Sequence, residues 1–252
     1  MGKRLFFAVI MCALLCSGCG KEKGATEETE LVILCGSSFV PPMKQMCDEF
    51  TLKTGTKTIY TVAGSEDFLP LVKAGQKGDV LITHDPYLDY VKEANVWASN
   101  AQTGFVAPVV AVQKGNPKGL AKIEDLTKEG LKVALSNPEY STCGEMVFAL
   151  LEKKGIKEAV LKNVGNRLTK GHNALGTFLQ TGTVDAVIMW NGVANTFKDS
   201  VDIVATPYEY DTEIAVQVIG LNYSQYGEEV KELVDFAKTR GKEIFAEHGY
   251  VK

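Results

Sequence analysis

Apolar and polar positions alternate between two periods from Leu31 onward. Leu31-Val-Ile-Leu-Cys35 is an unbroken apolar run of strand length, the pattern of a strand buried on both faces. Met43, Met46, Cys47 and Phe50 then recur at i, i+3, i+4 and i+7, one face of a helix that Pro41-Pro42 can open and Gly55 closes. Residues 57–63 predict a second strand. Phe68, Leu69, Leu71 and Val72 predict a helix starting near Ser65, late or kinked because of Pro70. Residues 79–83 read as a third strand and 87–94 as a helix. After an apolar, β-rich stretch at 104–112, the alternation resumes. It gives a strand at 132–135, a helix from about Thr142, a helix around 174–182 and a strand at 185–189. A strand at 214–219 follows, then helices marked by Val230, Leu233, Val234 and Ala237 and by residues 240–248. Alternating β and α units imply parallel sheets covered by helices. There are too many units for one small sheet, so two α/β lobes are expected.

The first nineteen residues follow a different pattern. Lys3-Arg4 precede eleven consecutive apolar residues, 5–15, and then Cys16-Ser17-Gly18-Cys19. That run is too short to span a bilayer as a helix, which takes about 20 residues. A basic start, a short apolar core and small residues form a secretory signal. Ser17-Gly18 directly before Cys19 resembles the lipobox of bacterial lipoproteins, with Cys16 standing where Leu is usual. The resemblance implies a signal peptide at 1–18 and acylation of Cys19. The chain would be exported and held by lipid, either at the outer face of the cytoplasmic membrane or in the periplasm. Residues 19–30 are polar and aperiodic and read as a tether. An ordinary cleaved signal with incidental cysteines is the alternative.

Past Cys19 only Cys35, Cys47 and Cys143 remain, an odd number that leaves at least one thiol unpaired in a monomer. Cys35 and Cys47 read as small core residues, with a bridge between them left open. Hydrophobic residues make up 45% and charged residues 23%, as in ordinary globular proteins, which excludes a disordered, fibrous or polytopic membrane chain. Lys plus Arg number 27 against 31 Asp plus Glu, a net charge of −4 that argues against a broad nucleic-acid-binding face.

In parallel sheets ligands bind beyond the carboxyl ends of the strands. At those places stand Cys35-Gly-Ser-Ser-Phe39, Ala63-Gly-Ser65, Asn137-Pro-Glu-Tyr-Ser-Thr-Cys-Gly144, Lys170-Gly-His-Asn173 and Trp190-Asn-Gly192. Four of these feed helix N-termini, whose free N–H groups and partial positive charge hold anions. None contains an Arg, and Lys170 is the one Lys among them. Taken singly, Ser38, Ser65, Thr142 and Asn173 read as helix N-caps. Taken together, the loops outline an anion cleft.

Residues 31–39, the Thr-Val-Ala-Gly-Ser65 segment, residues 73–83, Asn137-Pro-Glu139 and Gly182-Thr-Val-Asp185-Ala resemble, in order and spacing, the periplasmic molybdate/tungstate-binding proteins of ABC importers. Residues 244–250 are similar to that family's C-terminal helix, so the resemblance covers nearly all of 31–252. It implies a two-lobed type II periplasmic binding fold, each lobe a mainly parallel sheet flanked by helices, with the ligand cleft between the lobes. Lobe I would comprise 31–107 and 207–252, and lobe II 108–206. The resemblance further implies a monomer that is not an enzyme and carries no cofactor. Such a protein captures molybdate or tungstate with neutral donors and passes it to an ABC importer permease. Position by position, Ser38 and Ser65 fall on two hydroxyls that touch the metal-centred oxyanion. Cys143 falls on a backbone N–H donor, Gly171 or His172 on another, and Trp190 on a Tyr whose hydroxyl reaches the anion. Cys143, His172 and Trp190 depart from the family's residue types.

A pocket of donors alone suits a fully deprotonated dianion, whereas a protonated phosphate needs an acceptor. Glu66 or Asp67 would supply one, although both also read as first-turn carboxylates of a helix. Other readings remain: another oxyanion or small acid, or a Cys/His enzyme with Cys143 activated at a helix N-terminus and His172 as its base. A metal site of Cys143, His172 and a carboxylate lacks ligand spacing. His84, directly after a strand, reads as a loop residue rather than a ligand.

Overall fold

The computed structural model describes residues 29–204 and 214–251. The signal segment, Cys19 and the tether up to residue 28 lie outside the described residues. The chain runs through β1 (Glu30–Gly36), α1 (Val40–Thr54), β2 (Lys57–Ala63), α2 (Ser65–Lys73), β3 (Val80–His84), α3 (Tyr87–Glu93) and β4 (Trp97–Val106). A middle section holds β5 (Pro108–Gln113), β6 (Val133–Ser136), α4 (Thr142–Lys153), α5 (Lys157–Val164), β7 (Leu168–Thr169), α6 (His172–Gln180), β8 (Ala186–Trp190), α7 (Asn191–Thr196) and β9 (Val201–Ile203). The last elements are β10 (Ile214–Leu221), α8 (Gly227–Phe236) and α9 (Lys242–Glu247).

Two five-stranded sheets result, ordered β2-β1-β3-β10-β4 and β7-β6-β8-β5-β9. β1 lies parallel to β2 and β3, and β6 parallel to β7 and β8, as β-α-β units require. The antiparallel pairs involve strands next to the crossings between sheets: β10 with β3 and β4, and β5 with β8 and β9. Both sheets are therefore mixed. The apolar stretch at 104–112 is not one strand but the junction of two, with Ala107 between β4 in one sheet and β5 in the other.

Asn191 pins that junction. Its backbone N–H donates to the Ala107 carbonyl at 3.0 Å and its Oδ1 accepts from the Ala107 N–H at 3.2 Å. Its Nδ2 donates to the Val251 carbonyl at 2.9 Å, tying in the C-terminal segment. Residues 205–213, which separate β9 from β10 in sequence, lie outside the described residues.

The predicted apolar face of α1 is buried: Met43, Met46, Cys47 and Phe50 all lie in the core. α2 starts at Ser65 and continues past Pro70, which stands at its sixth position. A single π turn, residues 237–241, joins α8 to α9. Arg240 on that turn donates to both Glu49 carboxylate oxygens on α1, at 2.7 and 2.9 Å, and to Glu243 and Glu247. Cys35, Cys47 and Cys143 are buried free thiols, so the open question of a Cys35–Cys47 bridge resolves to unpaired core residues. Among the described residues no helix is long and apolar enough to cross a membrane.

Candidate functional site

The carboxyl ends of the central strands of both sheets face one cavity of about 280 Å³. From the first lobe it is lined by 36–39 after β1, by 62–67 around the β2–α2 junction and by His84 at the end of β3. The second lobe supplies 140–142, 170–172 and Trp190. α2, α4 and α6 therefore begin at the cavity wall with their first-turn N–H groups unpaired within the helix.

Ser65, 5% exposed, opens α2. Its Oγ accepts a hydrogen bond from the Thr83 hydroxyl on β3 at 2.7 Å. With a lone pair so occupied, the Ser65 proton is free to be given to a ligand. Ser38 lies in the helical turn between β1 and α1, and its carbonyl accepts from the Tyr250 hydroxyl. Asp67 accepts from the Gly64 N–H at 3.2 Å and meets Lys170 of the other lobe at 3.3 Å. Lys170 also stands 5.7 Å above the Tyr140 ring, and its pairing with Asp67 across the cleft engages the one Lys or Arg among the described lining residues. The Glu66 carboxylate folds back over Gly64, where any Cβ would come within 2.1 Å of Oε1. Burial pushes the Glu66 pKa up, and the neighbouring Asp67 charge adds to the rise.

The floor is aromatic. Trp190, 2% exposed, stacks on His172 with ring centres 5.5 Å apart and meets His84 edge-on at 5.7 Å. The indole N–H of Trp190 donates to no group among the described residues. His172 Nδ1 is buried without a hydrogen-bond partner, and burial lowers the ring's pKa to about 3, with His84 nearby adding to the drop. An orphaned buried donor or acceptor costs about 1–3 kcal/mol.

Of the residues singled out by sequence, Ser38, Ser65, Gly171, His172 and Trp190 line this cavity. Cys143 does not: its side chain is fully buried in the core of the second lobe. What Cys143 directs toward the cleft end of α4 is its backbone N–H, in the helix's first turn. The N-cap readings give way as well. Ser38 precedes α1 by two positions, Ser65 and Thr142 are first helical residues, and Gly171 caps the helix that contains Asn173. The serine that caps α4 is Ser141, whose Oγ accepts from the Gly144 N–H at 3.3 Å.

Burial pushes the Cys143 thiol far above its ordinary pKa. The activated-cysteine reading fails on that ground, since a sealed neutral thiol is no nucleophile. Cys143→Ala should leave ligand affinity within about twofold, because a backbone donor survives the change, while removing the buried sulfur costs about 1 kcal/mol of stability. Calorimetry and a denaturant melt check the two halves. The sequence reading of His84 as a loop residue gives way too: it is the buried last residue of β3 and lines the cavity. The rule that drew attention to Ser65 and Trp190, position at a strand's carboxyl end, applies equally to it.

The two mixed sheets, the chain crossing at Ala107 and the cleft between them define a two-lobed type II solute-binding fold. Residues 31–251 match the bacterial extracellular solute-binding proteins, and the chain belongs to that family. The molybdate-binding protein ModA of Mycobacterium tuberculosis is 25% identical over 170 residues, which are 64% of this chain and 63% of the relative. The match thus spans less than two thirds of that relative's length. The periplasmic molybdate-binding protein of Azotobacter vinelandii superposes with a TM-score of 0.71 at 15% identity, over 88% of this chain and 99% of the other. The sulfate-binding protein SubI of Mycobacterium tuberculosis gives the same TM-score at 17% identity, over 88% and 86%. At such identities the likeness shows the fold. These relatives are binding proteins rather than enzymes, and the chain is an exported solute-binding protein.

Proposed function

We propose that this chain is a lipid-anchored solute-binding protein that captures a tetrahedral oxyanion, molybdate or tungstate first, and delivers it to an ABC importer permease. The carrying observation is the convergence of three helix N-termini, the Ser38 and Ser65 loops and the Trp190 indole on one cavity whose one lysine among the described lining residues is paired with Asp67. An anion held there is met by neutral donors: the two serine hydroxyls, backbone N–H groups at Cys143 and at Gly171 or His172, and the indole. The similarity to ModA supports the choice of ion. Lobe I would comprise 31–107 and 207–252 and lobe II 108–206, with closure about the Asn191-pinned junction, and the protein works as a monomer.

A thermal-shift series with molybdate, tungstate, sulfate, phosphate, chromate and arsenate tests the reading. A ligand at a thousandfold over its Kd stabilises by about 4 kcal/mol, a shift that stands clear of non-binding anions. No shift with any of them would refute an oxyanion site. The anchor rests on Cys19 and its flanking Ser17-Gly18. The protein should fractionate with membranes and Cys19→Ala should release it, since stable anchoring takes two or more acyl chains. A free Cys19 thiol in mature protein would end the lipoprotein assignment.

A further inference from the structure

His84 occupies the floor of the cleft in a way that the neutral-donor scheme does not use. It is the last residue of β3, 7% exposed, and follows directly on Thr83, the residue that orients Ser65. Its Nδ1 lies 2.7 Å from the Asp85 carbonyl oxygen. A carbonyl only accepts, so Nδ1 carries the hydrogen, and in the neutral ring Nε2 is a bare lone pair. Among the described residues Nε2 has no hydrogen-bond partner, and the ring lines the cavity. The Phe39, Tyr87 and Trp190 rings hold it edge-on at 6.0, 5.4 and 5.7 Å. A lone pair facing a bound oxyanion is repulsive unless a proton stands between them.

We propose that the cleft binds its oxyanion together with one proton, shared between His84 Nε2 and a ligand oxygen. This inference rests on the oxyanion reading of the cleft. Molybdate, tungstate and sulfate arrive without a proton, so His84 takes one from solvent and becomes a charged donor beside the neutral ones. Hydrogen phosphate and hydrogen arsenate bring the proton as their own O–H, which the Nε2 lone pair accepts. Proton and charge balance in both cases: a bare dianion plus one proton, or a dianion already carrying it.

The groups that face His84 are few. Tyr87 lies against it, His172 stands across the indole, and Asp85 follows it with Oδ1 bonded to Gln217. Glu66, Asp67 and Lys170 share the cavity wall, the latter two paired with each other. Among these, Glu66 is the competing acceptor for a proton, because an incoming dianion would also raise its pKa. Without ligand, burial lowers the His84 pKa and so favours the neutral ring, against a smaller opposing effect of the Asp85 carbonyl. A bound dianion raises the pKa. Affinity for a bare dianion is therefore greatest below the free-state pKa, falls about tenfold per pH unit up to the bound-state pKa, and is flat above it.

Isothermal titration of the exported chain with tungstate and molybdate, in two buffers of different ionisation enthalpy across neutral pH, reads the proton directly. The expected result is close to one proton taken up per anion, with affinity falling as pH rises. Hydrogen phosphate or arsenate above its second pKa should, where it binds, take up none. His84→Gln should abolish the uptake and flatten the pH profile, whereas Glu66→Gln should leave both as they were. Tight binding with no proton uptake overturns this inference and leaves the oxyanion reading standing. Uptake that persists in His84→Gln but is lost in Glu66→Gln also overturns it. No binding by any of these anions at any pH overturns both. The wild-type uptake needs no variant, so a misfolded His84→Gln would not hide the outcome.

Discussion

Replacing Ser65 with alanine should weaken oxyanion binding by about 1.5–3 kcal/mol, roughly tenfold to a hundredfold, because it deletes a hydrogen bond to a charged group. The structure makes this the sharpest of the site substitutions. Thr83 donates into the Ser65 oxygen, which leaves the serine proton to be given to a ligand. The same contact raises the stability cost. A lost helix cap is worth about 1 kcal/mol, but Ser65 is not the cap of α2. Its removal leaves the Thr83 hydroxyl, 0% exposed, without an acceptor, a penalty of about 1–3 kcal/mol. Thr83→Val with Ser65→Ala should recover part of that stability, since both polar partners then leave together, but none of the affinity. Calorimetric titration and denaturant melts of the two variants check it. Unchanged affinity in Ser65→Ala would place the anion elsewhere in the cleft.

How much of this was legible in the sequence follows from where each signal resides. Buried parallel strands write themselves as continuous apolar runs, and β1, β3 and β8 were readable for that reason. The amphipathic face of α1 was equally plain. α7 was not, because its six residues begin directly at the end of β8 and are too few to show a period. The break at Ala107 was hidden because β4 and β5 are both apolar there, and the change of sheet is a three-dimensional event. Strand-end position found most of the cleft. It missed His84 because a lone histidine is ordinarily a packed or solvated residue, and only its pairing with the Asp85 carbonyl shows which nitrogen is left over. Cys143 is the reverse case. Helix-start position suggested a reactive thiol, but the direction of a side chain from the first turn, inward here, is decided by packing against the second sheet.

Gly192→Ala should destabilise the fold by about 1–3 kcal/mol and, in addition, weaken ligand binding severalfold. Gly192 sits in α7, immediately after the Asn191 that clasps the inter-lobe junction. A Cβ there would lie 2.3–2.5 Å from the Tyr250 ring carbons, far inside contact distance. That ring cannot step aside. Tyr250 is 1% exposed, packs on Phe39 and Phe245 and donates its hydroxyl to the Ser38 carbonyl. Its own carbonyl accepts from the Phe105 N–H at 3.0 Å. The C-terminal segment is thus wedged between α7 and the turn that carries Ser38, and a methyl group on Gly192 drives the wedge toward the binding loop. A double-mutant cycle separates this from a general defect. If the clash with the ring is the cause, Gly192→Ala should cost little on a Tyr250→Ala background, and the pair should fall short of the summed single effects by about 1 kcal/mol or more. Additive effects in denaturant melts would mean that the two residues do not contend for the same space. Loss of stability with wild-type affinity would mean that the wedge holds the lobes together without positioning the Ser38 loop.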